Sequence, residues 1–364
     1  MYPAPQTPDA TIRCQPDWGL LDWLTPLRSS LIISTYQAGK VVLVSSDGSQ
    51  LRVLLRDFDK PMGLAIDGDR IALATRSEIM QFANAPVLAP EFLPDRSVKY
   101  DALYLPRLSY DTNDLNVHDI AFTSDGLCFC ATRFGCLAKP SDHFHFEPFW
   151  QPPFISELVP EDRCHLNGLA VVDGQPRYVT CLGATDTAGG WRAGKATGGV
   201  IVDVHSNEII ARGLSMPHSP RWHDGALWFL NSGEGELVRF DPHSGQSETV
   251  ATLPAYLRGL AFAGTTAIVG MCQIREAHIF GSLPVQARHP RLLSGVAVID
   301  LPSGRCVGQL EFISGCTEVY DVGVLPNVRC GMILNRQRSQ TREAITAPGV
   351  NYWLRPENVV SNSL

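Results

Sequence analysis

Residues 167–182 read NGLAVVDGQPRYVTCL: a short apolar phrase containing a small residue, an Asp-Gly turn and a second apolar run. This order predicts two antiparallel strands joined by a tight turn. The same order recurs with starts 39–62 residues apart, a spacing typical of four-stranded propeller blades with variable loops. The six phrases are Met62-Gly-Leu-Ala65, His118-Asp-Ile-Ala121, Asn167-Gly-Leu-Ala170, Ser219-Pro-Arg-Trp222, Arg258-Gly-Leu-Ala261 and Tyr320-Asp-Val-Gly323. The second runs are RIALAT, LCFCAT, RYVTCL, ALWFLN, AIVGMC and CGMILN.

Outer strands are predicted from four hairpins, in which a β-rich run meets an Asp, Ser, Asn or Gly turn and returns as another β-rich run. The hairpins are VVLVSSDGSQLRVLL at 41–55, GVIVDVHSNEIIA at 199–211, ELVRFDPHSGQSETVATL at 236–253 and GVAVIDLPSGRCVGQLEF at 295–312. The first hairpin precedes the first phrase, whereas the sixth phrase is followed only by its second strand and a polar tail. We therefore expect strands within 319–335 to take the 41–55 hairpin as their outer half, which leaves no sheet edge exposed.

These patterns predict an all-β fold, a six-bladed β-propeller closed by N-terminal strands. The alternative is a seven-bladed propeller with a degenerate unit in 84–115, the longest gap without a clear hairpin. The expected organisation is a single propeller domain over 31–335, with an N-terminal extension at 1–30 and a C-terminal tail at 336–364.

Composition narrows the classes of function. The 364 residues are 45% hydrophobic, which excludes a disordered chain, and 37 acidic residues against 30 basic ones leave no basic stripe for nucleic acid. No apolar run approaches the length of a membrane span, and the first residues lack the pattern of a signal peptide. We therefore expect a cytoplasmic protein with no nucleic-acid or membrane partner, whose ten scattered cysteines are reduced.

Several long phrases carry a resemblance to a known family. They are HDIAFTSDGLCFCATRFGCLA at 118–138, PEDRCHLNGLAVVDGQPRYVT at 160–180, TDTAGGWR at 185–192 and GLSMPHSPRWHDGALWFLNSG at 213–233. In these phrases the chain, from about Leu31 to Asn335, resembles an uncharacterised bacterial family of conserved hypothetical β-propeller proteins. The resemblance implies the fold and no reaction. A remoter likeness to the gluconolactonase and strictosidine-synthase propellers is one of fold only, and fold does not determine function.

The order of strands within a blade predicts which residues share one face. The start of each first strand and the end of each second strand should converge on one mouth of the channel, where propellers usually bind ligands. Polar and charged residues occupy most of these positions. Among them are Lys60, Asp119, Ser219, Glu318, Tyr320, Arg76, Thr187, Asn231 and Ser232.

Three histidines fall at these positions in consecutive blades, namely His118, His165 and His218. We predict a catalytic group made of these three with Asn167 and Asp321, in which imidazoles act as general acid or base. The same three imidazoles form the predicted metal site, since they could hold a divalent ion as the cofactor. The structural alternative is that each imidazole closes a blade by bonding a neighbouring backbone group or hydroxyl.

Charged and aromatic residues at the same mouth predict substrate binding. Gly-rich residues 185–199 are expected to form a lid that offers an acid, a stacking plane and cations, although such a loop can also be merely mobile. Because guanidinium groups bind carboxylate or phosphate with two parallel hydrogen bonds, an anionic ligand is expected, the alternative being internal ion pairs. The predicted substrate-binding residues are Arg133, Asp186, Trp191, Arg192, Arg258, Arg275 and Glu276. The aromatic insert at 143–154 is assigned no chemistry.

Two functions remain open on the sequence. One is an enzyme that acts on a polar, anionic small molecule or peptide by hydrolysis, isomerisation or elimination. The other is a non-catalytic propeller that binds a glycan, a peptide or a protein partner through the same mouth.

Overall fold

The computed structural model describes residues 11–93, 98–274 and 281–355. Six antiparallel sheets are arranged around a common channel, and the first strand of each sheet contacts the first strands of its two neighbours. The prediction of a six-bladed β-propeller is therefore confirmed. Blades are numbered here in the chain order of their first strands.

In blade 1 the strands, from the channel outward, are Leu64–Asp67, Arg70–Ala74, Glu78–Asn84 and Ala102–Asp111. In blade 2 they are Val117–Thr123, Gly126–Ala131, Cys136–Lys139 and Glu147–Trp150. In blade 3 they are Leu166–Val172, Gln175–Cys181, Gly199–Asp203 and Ile209–Leu214.

In blade 4 the strands are Pro217–His223, Ala226–Asn231, Glu236–Phe240 and Ser247–Thr252. In blade 5 they are Tyr256–Ala263, Thr266–Cys272, Gly295–Asp300 and Arg305–Ser314. In blade 6 they are Asp321–Leu325, Ser30–Thr35, Lys40–Ser46 and Leu51–Asp57.

Burial explains why the second runs are apolar throughout and do not alternate with polar residues. A second strand lies between two other strands of its blade and has a neighbouring blade against each face, so both faces are buried. Ile71, Leu73, Leu227 and Leu230 have no exposed surface. Burial of each such side chain stabilises the fold by about 1.5–3 kcal/mol.

The closure of the ring differs in detail from the prediction. Three N-terminal strands enter blade 6, because Ser30–Thr35 pairs directly with Asp321–Leu325. The predicted second strand of this blade, in CGMILN, is displaced, and Gly331–Ile333 instead pairs in parallel with the outer strand of blade 1. The predicted pairing was wrong because residues 31–35, which contain no phrase, compete for the same position.

Two other expectations are corrected. The described residues of the segment 84–115 form no seventh blade, since Ala102–Asp111 is the fourth strand of blade 1. The aromatic insert at 143–154, which was expected to be a surface flap without chemistry, contains Glu147–Trp150, the outer strand of blade 2.

Short elements cover the outside of the ring. Strand Arg13–Pro16 extends blade 5, and helix Trp18–Leu27, capped by the Asp17 carboxylate on Leu20 N, buries Leu20 and Leu24. The remaining elements are the 3₁₀ turns Ala89–Glu91 and Gly190–Gly194, the helical turns Pro284–Arg288 and Ser339–Glu343, and the hairpin Ala344–Ala347 with Val350–Trp353. The ten cysteines carry free thiols. Within the described ranges, no helix has the length and apolar character required to cross a lipid bilayer.

The second position of each phrase follows an alternating rule around the channel. It is glycine in blades 1, 3 and 5 and a polar residue in blades 2, 4 and 6, where the phrase of blade 4 is aligned to begin at His218 and its second residue is Ser219. Each polar side chain accepts a backbone N–H of the following blade: Asp119 from Leu169, Ser219 from Gly259 and Asp321 from Leu64, each at 2.9 Å. The first strands are thus joined by side-chain hydrogen bonds where their backbones approach too closely for a larger residue.

Candidate functional site

The six blades present one equivalent residue each at the mouth of the channel. These residues are Met62, His118, Asn167, His218, Arg258 and Tyr320. The fourth phrase is therefore shifted by one residue from the sequence prediction, since His218, and not Ser219, is equivalent to His118. The backbone is left-handed two residues earlier in four blades, at Lys60, Asn116, His165 and Met216. This turn directs the chain into the channel wall.

His118 and His165 meet at the mouth through their Nε2 atoms, which are 3.1 Å apart. Nδ1 of His118 is 3.0 Å from the Asn116 carbonyl, and Nδ1 of His165 is 2.8 Å from an oxygen of Asp162. His118 is buried, whereas 12% of the His165 side chain is exposed. The three side chains form the line Asp162–His165–His118.

These contacts determine the tautomers. Both Nδ1 atoms must carry hydrogen, because a carbonyl and a carboxylate only accept. Two neutral rings would then direct lone pairs at each other across 3.1 Å. A single proton placed between the two Nε2 atoms would remove this conflict.

Arg258 and Tyr320 lie beside His118. The Arg258 guanidinium is 3.8 Å from the centre of the Tyr320 ring, and that ring is 5.4 Å from the His118 ring. Arg258 makes none of the ion pairs found within the described part of the chain. Tyr320 is 5% exposed, and its hydroxyl has no hydrogen-bond partner among the described residues. Tyr36 packs against the Tyr320 ring at 5.3 Å.

His218 occupies the same layer in blade 4. Its Nδ1 lies 2.9 Å from the Met216 carbonyl and 3.1 Å from Ser232 Oγ, and its ring packs edge-on against Tyr256. Nδ1 therefore donates to Met216, which leaves Nε2 as an acceptor.

Burial keeps two of these histidines neutral. It lowers the pKa of His118 well below its ordinary value, and the neighbouring His165 and Arg258 lower it further. Burial also lowers the pKa of His218, with Arg258 as the next cause. Both rings are therefore uncharged imidazoles at neutral pH.

The Gly-rich segment forms a wall of the mouth. Trp191 is 2% exposed, its ring is 4.6 Å from the His165 ring, and its Nε1 donates to Asp162 at 3.0 Å. The Arg192 guanidinium lies over Trp191 and 3.4 Å from Asp162. Asp162 is thus held from three sides. A cleft of about 350 Å³ lies behind Trp191, between this segment and Arg212.

Other predicted residues have different surroundings. Arg133 pairs with Asp114, and Asp186 pairs with Arg163 and accepts from Ser156 N. The hydrogen bonds from Ser156 and Arg163 lower the pKa of Asp186. Arg275 and Glu276 lie outside the described residues.

The Asn167 amide is occupied in joining strands. Its oxygen accepts from the Thr180 hydroxyl at 2.6 Å, and its nitrogen donates to the Pro217 carbonyl at 3.1 Å. Both polar atoms of the amide are therefore used in hydrogen bonds, one within blade 3 and one to blade 4.

A layer beneath the mouth holds Asp321. Arg221 of blade 4 binds both oxygens of Asp119, at 2.7 and 3.2 Å, and lies 3.5 Å from Asp321. Burial raises the pKa of Asp321, while Arg221 opposes this shift. This carboxylate–guanidinium–carboxylate group connects blades 2, 4 and 6 across the channel.

The metal prediction required three ligands at one point. In residues 11–93, 98–274 and 281–355, no three His, Cys, Asp or Glu side chains converge closely enough to hold an ion. The structure brings His118 and His165 together. The three-histidine metal site stays a prediction.

Two important residues escaped sequence reasoning. Asp162 lies three residues before His165 in PEDRCH, and Arg221 follows Ser219 and Pro220 in the fourth phrase. Asp162 lies outside the repeated phrase, so the repeat gave it no position. No pattern in the fourth phrase marks Arg221, because its partners Asp119 and Asp321 come from blades 2 and 6.

Comparison with known proteins supports the fold and places the chain in a family. A solved structure titled "Crystal structure of Nidogen/Laminin Complex" matches with a TM-score of 0.51 at 11% identity, covering 82% of this chain and 99% of that chain. This likeness shows the fold alone. A search of curated proteins finds no relative. The model of a domain of unknown function, DUF4915, matches residues 19–334. The expected membership of an uncharacterised propeller family is thus confirmed, and the chain belongs to the DUF4915 family.

Proposed function

We propose that this protein is an enzyme that acts on a polar, anionic small molecule or peptide at the channel mouth, by proton transfer through His118 and His165. The observation that carries the proposal is the line Asp162–His165–His118, with 3.1 Å between the two Nε2 atoms. Structural histidines in a channel need only one backbone or hydroxyl partner each. Two imidazoles that share one proton beside a carboxylate instead form a group able to take up and return protons.

The chemistry follows from the protonation states. In the pair with both Nε2 atoms unprotonated, one Nε2 accepts a proton from water or from a carbon next to a carbonyl group, and the two Nε2 atoms then share that proton. Asp162 stabilises the imidazolium that forms on His165, and the same proton is then returned to a leaving group or product. Hydrolysis, isomerisation and elimination all need this order of proton transfers. The geometry therefore supports acid–base catalysis, and the chemistry of the substrate determines which of the three reactions takes place.

Residues in the wall of the mouth have supporting roles in the proposed reaction. Trp191 and Arg192 both contact Asp162 and keep its carboxylate directed at His165. Arg258 supplies positive charge next to the reacting position. His218 contributes a second neutral imidazole in the same layer.

The test compares variants of the mouth with variants of histidines on the outer side of blade 2. We expect His118→Ala and His165→Ala to lower kcat/KM by about 10²–10⁴-fold on a panel of carboxylate-bearing esters and lactones. His143→Ala and His145→Ala are the matched controls, since both histidines are exposed, and they should change kcat/KM less than about twofold. Equal loss in all four variants would contradict the assignment.

A second function is a non-catalytic propeller that binds a protein partner through the same mouth. The observation that favours it is the structural neighbour, whose title describes a complex of nidogen with laminin. Absence of turnover across the panel, together with ligand binding that His118→Ala and His165→Ala leave unchanged, would favour this function over the enzyme.

A further inference from the structure

Arg258 and Tyr320 adjoin each other at the mouth, and neither contacts a carboxylate among the described residues. The Tyr320 hydroxyl is buried without a hydrogen bond among the described residues, and the Arg258 guanidinium against its ring makes no ion pair there. Burial raises the pKa of Tyr320, so the hydroxyl remains protonated and is a donor. Buried donors are normally satisfied, so these two donors beside the proposed catalytic pair suit an acceptor that a ligand supplies.

Other cations at this mouth are already neutralised or engaged. Arg192 faces Asp162, and Arg163 pairs with Glu161 and Asp186. Lys60 lies over the Tyr36 ring and 3.4 Å from its hydroxyl. His118 and His218 are neutral, because burial lowers their pKa values. Lys60 and Arg258 both lie over tyrosine rings, and Arg258 is the guanidinium of this group that makes no ion pair among the described residues.

We propose that the substrate is a small carboxylic acid whose carboxylate is bound by Arg258 and Tyr320. This inference rests on the proposed function and names its substrate class. A guanidinium presents parallel N–H groups that match a carboxylate, and one hydroxyl completes the donors. A phosphate dianion needs more donors and more positive charge than this position supplies.

Distances limit the size of the substrate. The Tyr320 ring lies 3.8 Å from the Arg258 guanidinium and 5.4 Å from the His118 ring. A carboxylate held at Arg258 therefore lies a few bonds from the group that faces the histidine pair. The class is a short carboxylic acid that carries its ester, lactone, hydroxyl or acidic carbon next to the carboxylate or one carbon further on.

The experiment measures binding of acetate, acetamide and inorganic phosphate to the full chain. Ligand-observed NMR measures binding of acetate and acetamide, and competition of phosphate with acetate at constant ionic strength measures binding of phosphate. We expect acetate to bind and acetamide, which has the same shape without charge, to bind at least about tenfold more weakly. Arg258→Met should weaken acetate binding by about 10–100-fold, and Tyr320→Phe, which keeps the ring, by about 3–10-fold.

Matched controls separate this inference from the proposed function. Arg239 is an exposed residue of a pocket of about 580 Å³ that His223 also lines, at the opposite end of the channel strand of blade 4. Arg239→Met should leave acetate binding unchanged. His165→Asn should abolish turnover and leave acetate affinity within about twofold. If Arg258→Met does not fold, Tyr320→Phe carries the test.

Three results would overturn the inference. They are equal binding of acetate and acetamide, phosphate that binds more tightly than acetate, and acetate affinity that Arg258→Met and Tyr320→Phe leave unchanged. In each case a loss of activity in His165→Asn alone would still support the proposed function. Conversely, acetate binding that depends on Arg258, with no effect of His165 on any turnover, would support the carboxylate site and contradict the catalytic role of the histidines.

Discussion

Single side chains at the mouth show how burial and contact assign different states to the same residue type. His118 and His218 donate Nδ1–H to a backbone carbonyl and are neutral because they are buried. His165 instead donates Nδ1–H to the Asp162 carboxylate, at 2.8 Å.

The depressed pKa values of His118 and His218 predict how stability depends on pH. Above about pH 6.5 both histidines are neutral in the folded and unfolded chains, so they contribute nothing to the pH dependence. Below about pH 6.5 these two histidines bind protons in the unfolded chain and remain neutral in the folded chain. The free energy of unfolding should then fall by up to about 1.4 kcal/mol per pH unit for each histidine.

Urea denaturation at pH 7.5, 6.5 and 5.5 measures this effect against a His118→Gln/His218→Gln variant. The variant should lose less stability than the natural protein as the pH falls. Asp321, whose pKa is raised, contributes the opposite slope, but it does so in both proteins and cancels in the difference. Parallel curves for the two proteins would show that the histidines are not held neutral by the fold.

At the scale of the strand, the packing of the six channel strands against one another depends on the alternation of glycine and polar residues in the phrases. A side chain at Gly63 would approach the backbone of blade 2, and one at Gly259 the backbone of blade 6. The glycines of one set of blades therefore make room for Asp119 and Asp321, which bond the neighbouring strands. The Gly-Leu-Ala phrase is thus a packing signal of the channel, and the proposed ligand-binding groups are residues just before it.

Gly259→Ala should be strongly destabilising. The backbone of Gly259 is left-handed (φ +83°), and a Cβ there would lie 2.8 Å from Asp321 Cα, so strain adds to overlap with the next strand. We expect a loss of about 2–5 kcal/mol in the free energy of unfolding. The matched control is Gly245→Ala in an exposed turn, also left-handed (φ +71°) but with nothing within 4 Å, which should cost about 1–2 kcal/mol. Equal losses at the two positions would show that close approach at the channel is unimportant.

The whole molecule is a ring whose last blade is built from both ends of the sequence. Asp321–Leu325 supplies the channel strand of blade 6, and three strands within residues 30–57 supply the rest. The separation of the described chain into a propeller at 31–335 and flanking segments stays a prediction. Helix Trp18–Leu27, which precedes that range, buries Leu20 and Leu24 against blade 5 and its neighbours.

Deleting the first fifty residues should unfold the protein. The deletion removes Ser30–Thr35 and Lys40–Ser46, so the channel strand Asp321–Leu325 loses its partner and a sheet edge is exposed. Circular dichroism and size-exclusion chromatography measure the outcome. A truncated protein that remains monomeric with an unchanged melting temperature would contradict closure by N-terminal strands.

A permuted chain provides the control for this deletion. It begins at Leu51, after the exposed turn at 47–50, and carries residues 11–50 after residue 355 through a long glycine–serine linker. All six blades can then form, and we expect a cooperative thermal transition. Loss of folding in the permuted chain as well would mean that the order of the strands, and not only their presence, is required.

The sequence by itself determined the class and number of the blades. The paired apolar runs recur six times because every blade must bury the same two strands between its neighbours, so the pattern is local and repeated. It also predicted that His118, His165, His218 and Arg258 belong to one mouth, since each lies in or next to a repeated phrase. Tertiary structure alone decided which partners these residues have, because those partners come from other blades.

Contacts between distant segments carry no local pattern. Asp162 binds His165 and Trp191 through a turn outside the repeat, and Arg221 bridges residues about 100 positions away on either side. The position of Ser30–Thr35 in blade 6 was likewise fixed by competition between two apolar segments for one partner strand. Periodicity in the sequence indicates which face of a strand a residue occupies. A hydrogen bond or ion pair depends on which other strand packs against that face, and only the closed ring determines that neighbour.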